Sequence, residues 1–228
     1  AKAGVVPHDA FAPRQSVTLD DEHGEAMAAL KHARAAINEI NADILRQLRS
    51  ADPDGWRKTL PAMINVSTWV GYDLDGRSDI SWQDSYRLRL REKRDALTVY
   101  YQTIMDSGLV ASSDAMADIA ARLTEELTRT MAHIQSFDIG DAKADAKADS
   151  GDVIAAMNAL TCAPGRLISS RALATEIHDI ARSLPDDNMA LAALVIASDI
   201  ATHGFGMGEV HLRINAAQIR NAMRPVDG

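Results

Sequence analysis

Two long stretches of this chain repeat apolar residues at the period of an α-helix, and that repetition constrains the fold more than any other feature. Met27, Leu30, Ile37, Ile40, Ile44 and Leu48 return at steps of three, four and seven residues. Met116, Ile119, Leu123, Leu127, Met131 and Ile134 return at steps of three and four. Residues so spaced share one helix face, and that face must be buried. Each stretch therefore predicts a long amphipathic helix, one from Glu22 to about Arg49 and one from Ser112 or Ser113 to Gly140. Composition agrees. Aromatics are 4% of the 228 residues and alanine is abundant, a balance that favours helices over sheets.

Other elements follow from local signals. Asp52-Pro53-Asp54-Gly55 breaks the first helix. A third long helix is expected from Ser81, where Ser81 and Asp84 have capping-box spacing, to about Asp106, with Gly108 stopping it. Further helices are expected at Val153–Leu160, Ile168–Leu184 and Met189–Thr202, and a last one from Asn215. Two segments read as short strands, Asn65 to Val70 and Glu209 to Ile214. Lone strands are unstable, so they must pair with each other in parallel or with strands outside this chain. The resulting organisation is an extended arm at 1–20, a helical region at 21–140 with a strand and acidic turn at 65–76, a low-complexity Ala-Lys-Ala-Asp linker at 141–151, and a helical region at 152–228 with a strand at 209–214.

The formal net charge of -8 disfavours nucleic acid as a partner, because an acidic surface repels phosphate backbones. Cys162 is the single cysteine, so there is neither an internal disulfide nor a thiolate cluster for zinc. No apolar run has the length of a membrane span. A cytoplasmic setting is expected.

Two constellations suit chemistry. Trp69-Val70-Gly71-Tyr72-Asp73-Leu74-Asp75-Gly76 puts two carboxylates in a glycine-flanked turn after a strand. Such a pair suits holding a cation or orienting an arginine, and equally suits capping the next helix. His203-Gly204-Phe205-Gly206-Met207-Gly208 precedes the second strand, near whose end stands Arg213. This is no dinucleotide fingerprint, whose glycines follow a strand and open a helix. Arg213 suits gripping a phosphate or carboxylate with its planar fork, or making an ordinary surface ion pair. His203 and His211 bracket the glycines without a nearby third metal ligand, and a structural role is the simpler one. The basic run Arg87 to Arg94 reads as a solvated or subunit-contact face rather than an anion site.

Together and in this order, the two constellations resemble phosphoenolpyruvate carboxylase. That family has Trp-x-Gly-Gly-Asp-Arg-Asp-Gly-Asn-Pro after a short strand, matched here by Trp69 to Ser78. It has a Phe-Gly segment leading to Leu-Asp-Ile-Arg-Gln on a strand, matched here by His203-Gly204 and His211-Leu212-Arg213-Ile214. The resemblance covers roughly residues 60–225. It implies a mainly α chain that forms a helix-rich portion of a (β/α)8 barrel, with two or so barrel strands. It implies a carbon-carbon lyase that joins bicarbonate to phosphoenolpyruvate, giving oxaloacetate and phosphate with Mg²⁺ or Mn²⁺. The metal ligands lie in a part of the family that this chain does not match. Arg213 would hold the substrate phosphate, with Asp73 and Asp75 beside it as catalytic residues. Leu74 stands where the family has an arginine, Tyr72 where it has its second glycine, and Arg77-Ser78 where it has Asn-Pro. Arg77 is the candidate for the displaced charge.

No Thr-Ala-His-Pro-Thr segment with the family's catalytic histidine precedes the first motif. The chain is therefore expected to be a central segment, completed by the remainder of the same enzyme in a homo-oligomer and incomplete alone. The alternatives are a non-catalytic helical interaction module descended from that family, and an enzyme acting on another small anion.

Overall fold

The computed structural model describes residues 17–75, 80–141 and 165–224. Residues 1–16 of the arm expected at 1–20, Arg77, Cys162, the low-complexity stretch after Asp141 and the helix expected at Val153–Leu160 lie outside the described residues, and the last two residues of that expected arm, Leu19 and Asp20, are helical.

Thr18 opens the first helix. Its hydroxyl accepts from the Asp21 N–H, and the Asp21 carboxylate accepts from the Thr18 N–H at 3.1 Å. This reciprocal cap satisfies two of the free donors at the helix start and sets the beginning of α1 (Leu19–Ala51). A single 3-10 turn follows at Trp56–Lys58, then β1 (Ser67–Thr68). Ser81 and Asp84 form the capping box expected of them, and α2 runs from Trp82 to Asp106. Gly108 has φ 76°, a left-handed conformation that glycine adopts without a Cβ penalty. It turns the chain into a four-residue helix, α3 (Leu109–Ser112), which the sequence reading lacked. The remaining elements are α4 (Asp114–Asp141), α5 (Ser170–Ser183), α6 (Asp187–His203), β2 (Glu209–Val210) and α7 (Ala216–Ala222). The chain is mainly helical, as expected.

One hydrophobic cluster joins α1, α2, α4, α5 and α6. Leu45, Leu97, Ile104, Ile119, Leu123, Ile177 and Leu194 are wholly inaccessible within it. The helix α6 is apolar almost all round, as a central helix must be, and packs on both α5 and α1. The buried stripe of α1 differs from the expected one. It runs through His23, Met27, Leu30, Arg34, Ile37, Asn41 and Leu45, whereas Ile40 is exposed. The spacing is helical as foreseen, but three of its positions are polar. On α4, Glu126 and Thr130 likewise occupy the buried face and Met131 is exposed.

The two strands pair with each other in parallel, Ser67 opposite Glu209 and Thr68 opposite Val210. They are shorter than the expected segments. Gly208 permits the pairing: a Cβ there would lie 2.8 Å from the Val66 carbonyl oxygen, which already accepts the Glu209 N–H at 2.9 Å.

Candidate functional site

Beyond the paired residues the two chains stay together. The His211 N–H donates to the Thr68 carbonyl, the Arg213 N–H to the Tyr72 carbonyl at 3.0 Å, and the Leu74 N–H to the Arg213 carbonyl at 2.9 Å. Asp73 and Arg213 form an isolated parallel bridge. Their side chains meet as well, Arg213 Nη1 donating to Asp73 Oδ2 at 2.9 Å. The acidic turn and the arginine, 140 residues apart in sequence, thus form one ion pair just past the C-terminal ends of two adjacent parallel strands. Arg213 keeps 58% of its side chain exposed while Asp73 keeps 20%, so the guanidinium has open N–H groups that its partner does not occupy. The Asp75 N–H points to Asp73 Oδ1 at 3.4 Å, and Asp75 itself is exposed. The backbone turns at Gly71, with φ 85°. A side chain there would collide with Leu88 of α2.

The described residues do not fit the Mg²⁺ or Mn²⁺ that the family implies. The Asp73 carboxylate is engaged by Arg213. Among the described residues no three His, Cys, Asp or Glu side chains are arranged to hold a metal ion. His203 is buried with its Nδ1 2.8 Å from Asp199, while His211 is exposed, so the two do not share a site. Two surface grooves run along α5 and α1, and neither includes Asp73 or Arg213. The basic run on α2 is paired within the molecule: Arg89 with Glu92, Arg91 with Asp20, Lys93 with Glu126 and Arg94 with Asp95.

Sequence reasoning missed three buried polar clusters. In the first, Arg34 Nη2 donates to Asp199 Oδ2 at 2.9 Å and to the Tyr100 hydroxyl at 2.9 Å. Arg34 Nη1 donates to the Gly206 carbonyl at 3.0 Å, and the Tyr100 hydroxyl donates to the Gly204 carbonyl at 2.6 Å. These bonds hold the glycine-rich segment that leads into β2. Its glycines have separate reasons. Gly204 has φ 64°, a Cβ on Gly206 would strike the Arg89 guanidinium, and Gly208 faces Val66. In the second cluster Glu92 takes bonds from Tyr72 and Arg89 and faces His23. In the third Glu126 gathers Lys93, Arg166 and the Leu167 N–H. A helical spacing shared by buried charges on different helices is the signal that was present. The partners that come from other elements, 20 to 165 residues away, are not visible along the chain.

Burial alone pushes the carboxyls of Glu92, Glu126 and Asp199 up. The bonds they receive outweigh it, from His23, Tyr72 and Arg89, from Lys93 and Arg166, and from His203 and Arg34 respectively. All three sit below their ordinary values. The same groups in an unfolded chain protonate near pH 4. The unfolded chain therefore holds more protons in that window, and stability is lost as the pH falls through it. Urea midpoints are expected to be level above about pH 5 and to fall steeply below about pH 4. A midpoint unchanged between pH 6 and 3 contradicts this.

A scan against protein-family models, a search of curated proteins and a search of solved structures each return no match to this chain. Among the described residues no helix is long and apolar enough to cross a membrane.

Proposed function

We propose that this chain is the central segment of a phosphoenolpyruvate carboxylase-like enzyme, contributing the arginine that holds the substrate phosphate. The observation that carries this reading is the Arg213–Asp73 pair. Two motifs that resemble the family separately, one at each end of a helical region, contribute one residue each to the same contact. The position supports it too. Ligands of sheets built from parallel strands bind beyond the carboxyl ends of those strands, and both residues stand there. On this reading β1 and β2 are two strands of a (β/α)8 barrel, and the remainder of the enzyme supplies the others.

The division of labour follows from exposure. Asp73 neutralises and orients one side of the guanidinium, leaving the other N–H groups to a phosphate in fork geometry. Bicarbonate attacks the phosphorus of phosphoenolpyruvate, the bond to the enol oxygen breaks, and carboxyphosphate and an enolate result. Carboxyphosphate then releases carbon dioxide and phosphate, and the enolate carbon takes up the carbon dioxide to give oxaloacetate. Phosphoenolpyruvate, bicarbonate, carboxyphosphate, the enolate and phosphate are all anions, so a fixed cation that needs no reorganisation stabilises the path. Asp75, exposed beside Asp73, is the second carboxylate of the turn.

Arg213→Ala in the complete gene product is expected to raise the KM for phosphoenolpyruvate roughly 100-fold or to abolish turnover, as loss of a charged phosphate contact does. Steady-state kinetics check this, and an unchanged kcat/KM removes Arg213 from the site.

The substitution of leucine for the family's arginine at Leu74 favours a second reading, a non-catalytic helical module that retains the fold. A complete gene product that binds phosphoenolpyruvate without turning it over would select it.

A further inference from the structure

The acidic turn is tethered by a carboxylate outside both motifs. Glu92, on α2, has no solvent exposure. Its Oε1 accepts from the Tyr72 hydroxyl at 2.7 Å and lies 3.3 Å from His23 Nε2 of α1. Its Oε2 accepts from Arg89 Nη1 at 2.8 Å. Burial and the adjacent Glu92 carboxylate push the Tyr72 phenol far above its ordinary value, so its hydroxyl stays a donor.

The two ends of Tyr72 do different things. Its ring is buried and its hydroxyl is fixed to Glu92. Its backbone carbonyl accepts the Arg213 N–H, and the Arg213 carbonyl in turn accepts the Leu74 N–H. The hydrogen bonds on both sides of Asp73 are thus anchored to a residue pinned in the core.

We propose that Tyr72 and Glu92 are positioning residues: together they set the separation of Asp73 and Arg213 and so the place where the Arg213 guanidinium meets its anion. This rests on the reading of Arg213 as an anion-holding residue. Two observations favour positioning over space-filling. Phenylalanine would fill nearly the same volume, yet here a hydroxyl is spent on a wholly buried carboxylate, whose lone pairs must be satisfied. And β1 and β2 have two residues each, so their regular pairing ends before it reaches Asp73 and Arg213. A second tether acts on the neighbouring peptide, where the Ser85 hydroxyl of α2 donates to the Gly71 carbonyl at 2.6 Å. Sites whose supporting contacts are loosened lose function although the site residues remain.

The test is Tyr72→Phe in the complete gene product, which keeps the ring and removes the tether. Amide hydrogen exchange at Leu74 and Arg213 is expected to accelerate about tenfold relative to the amides of α6. The KM for phosphoenolpyruvate, or the Kd for inorganic phosphate, is expected to rise roughly tenfold with kcat changed less than about twofold. Unchanged exchange at Leu74 and Arg213 overturns the positioning role. So does an equal acceleration over the whole chain, which would mark a packing contribution. Local acceleration in a protein that, unaltered, binds neither phosphoenolpyruvate nor phosphate overturns the anion-holding reading instead.

Discussion

Asp199→Ala is expected to lower the stability of the fold by about 3–5 kcal/mol, the usual cost of removing one partner from a buried ion pair. Arg34 and Asp199 are 2% and 3% exposed, so solvent cannot replace the lost carboxylate. The Arg34 guanidinium would keep Tyr100 and the Gly206 carbonyl as partners but would carry an uncompensated charge in the core. His203 would lose its Nδ1 partner as well. For a domain whose whole stability is typically about 5–15 kcal/mol, this is a large fraction. Urea unfolding followed by circular dichroism measures it, and a loss under about 1 kcal/mol contradicts the account. The double variant Arg34→Met with Asp199→Leu separates charge from packing. It is expected to recover much of the loss, because a desolvated pair is often replaceable by apolar groups of similar volume.

The second large effect is expected at Glu126. This residue has no exposure, yet Lys93 and Arg166 pair with it and the Leu167 N–H donates to it at 3.3 Å. Glu126→Ala leaves two cations facing each other and a buried N–H without its acceptor. The expected loss is again about 3–5 kcal/mol. It carries a local signature that a general loss of packing does not. Burial lowers the pKa of His133, Arg166 and Lys93 lower it further, and Glu126 opposes them. Removing Glu126 should therefore push the His133 pKa lower still, which proton-detected titration of its ring reads directly. A rise in that pKa would contradict the assigned electrostatics.

These clusters also explain how much of the fold the chain's own pattern reveals. The long helices were legible because each buries one face, and a period of three and four survives even when some members are polar. The beginning of α2 was legible because Ser81 and Asp84 announce it. Thr18 and Asp21 have the same spacing, but Pro7 and Pro13 upstream drew the expected arm through residue 20. Which side chains share the buried face was less legible. A hydrophobic criterion selects Ile40 over Asn41 and skips Arg34, since the partner that makes Arg34 acceptable in the core is Asp199, 165 residues later. The candidate site divides in the same way. The turn at Asp73 and the arginine at 213 stand out through glycines and strand signals, and parallel pairing was one of the two arrangements open to the strands. The tether through Tyr72 to Glu92 did not stand out, because a glutamate within a basic helical run reads as a surface charge.

Carbon tracing tests the functional account most directly. The complete gene product, given phosphoenolpyruvate and ¹³C-bicarbonate, should form oxaloacetate carrying the label in its new carboxyl group, with one phosphate released per molecule, and Arg213→Ala should suppress both. Phosphate release without labelled product, or no reaction of phosphoenolpyruvate at all, would contradict it.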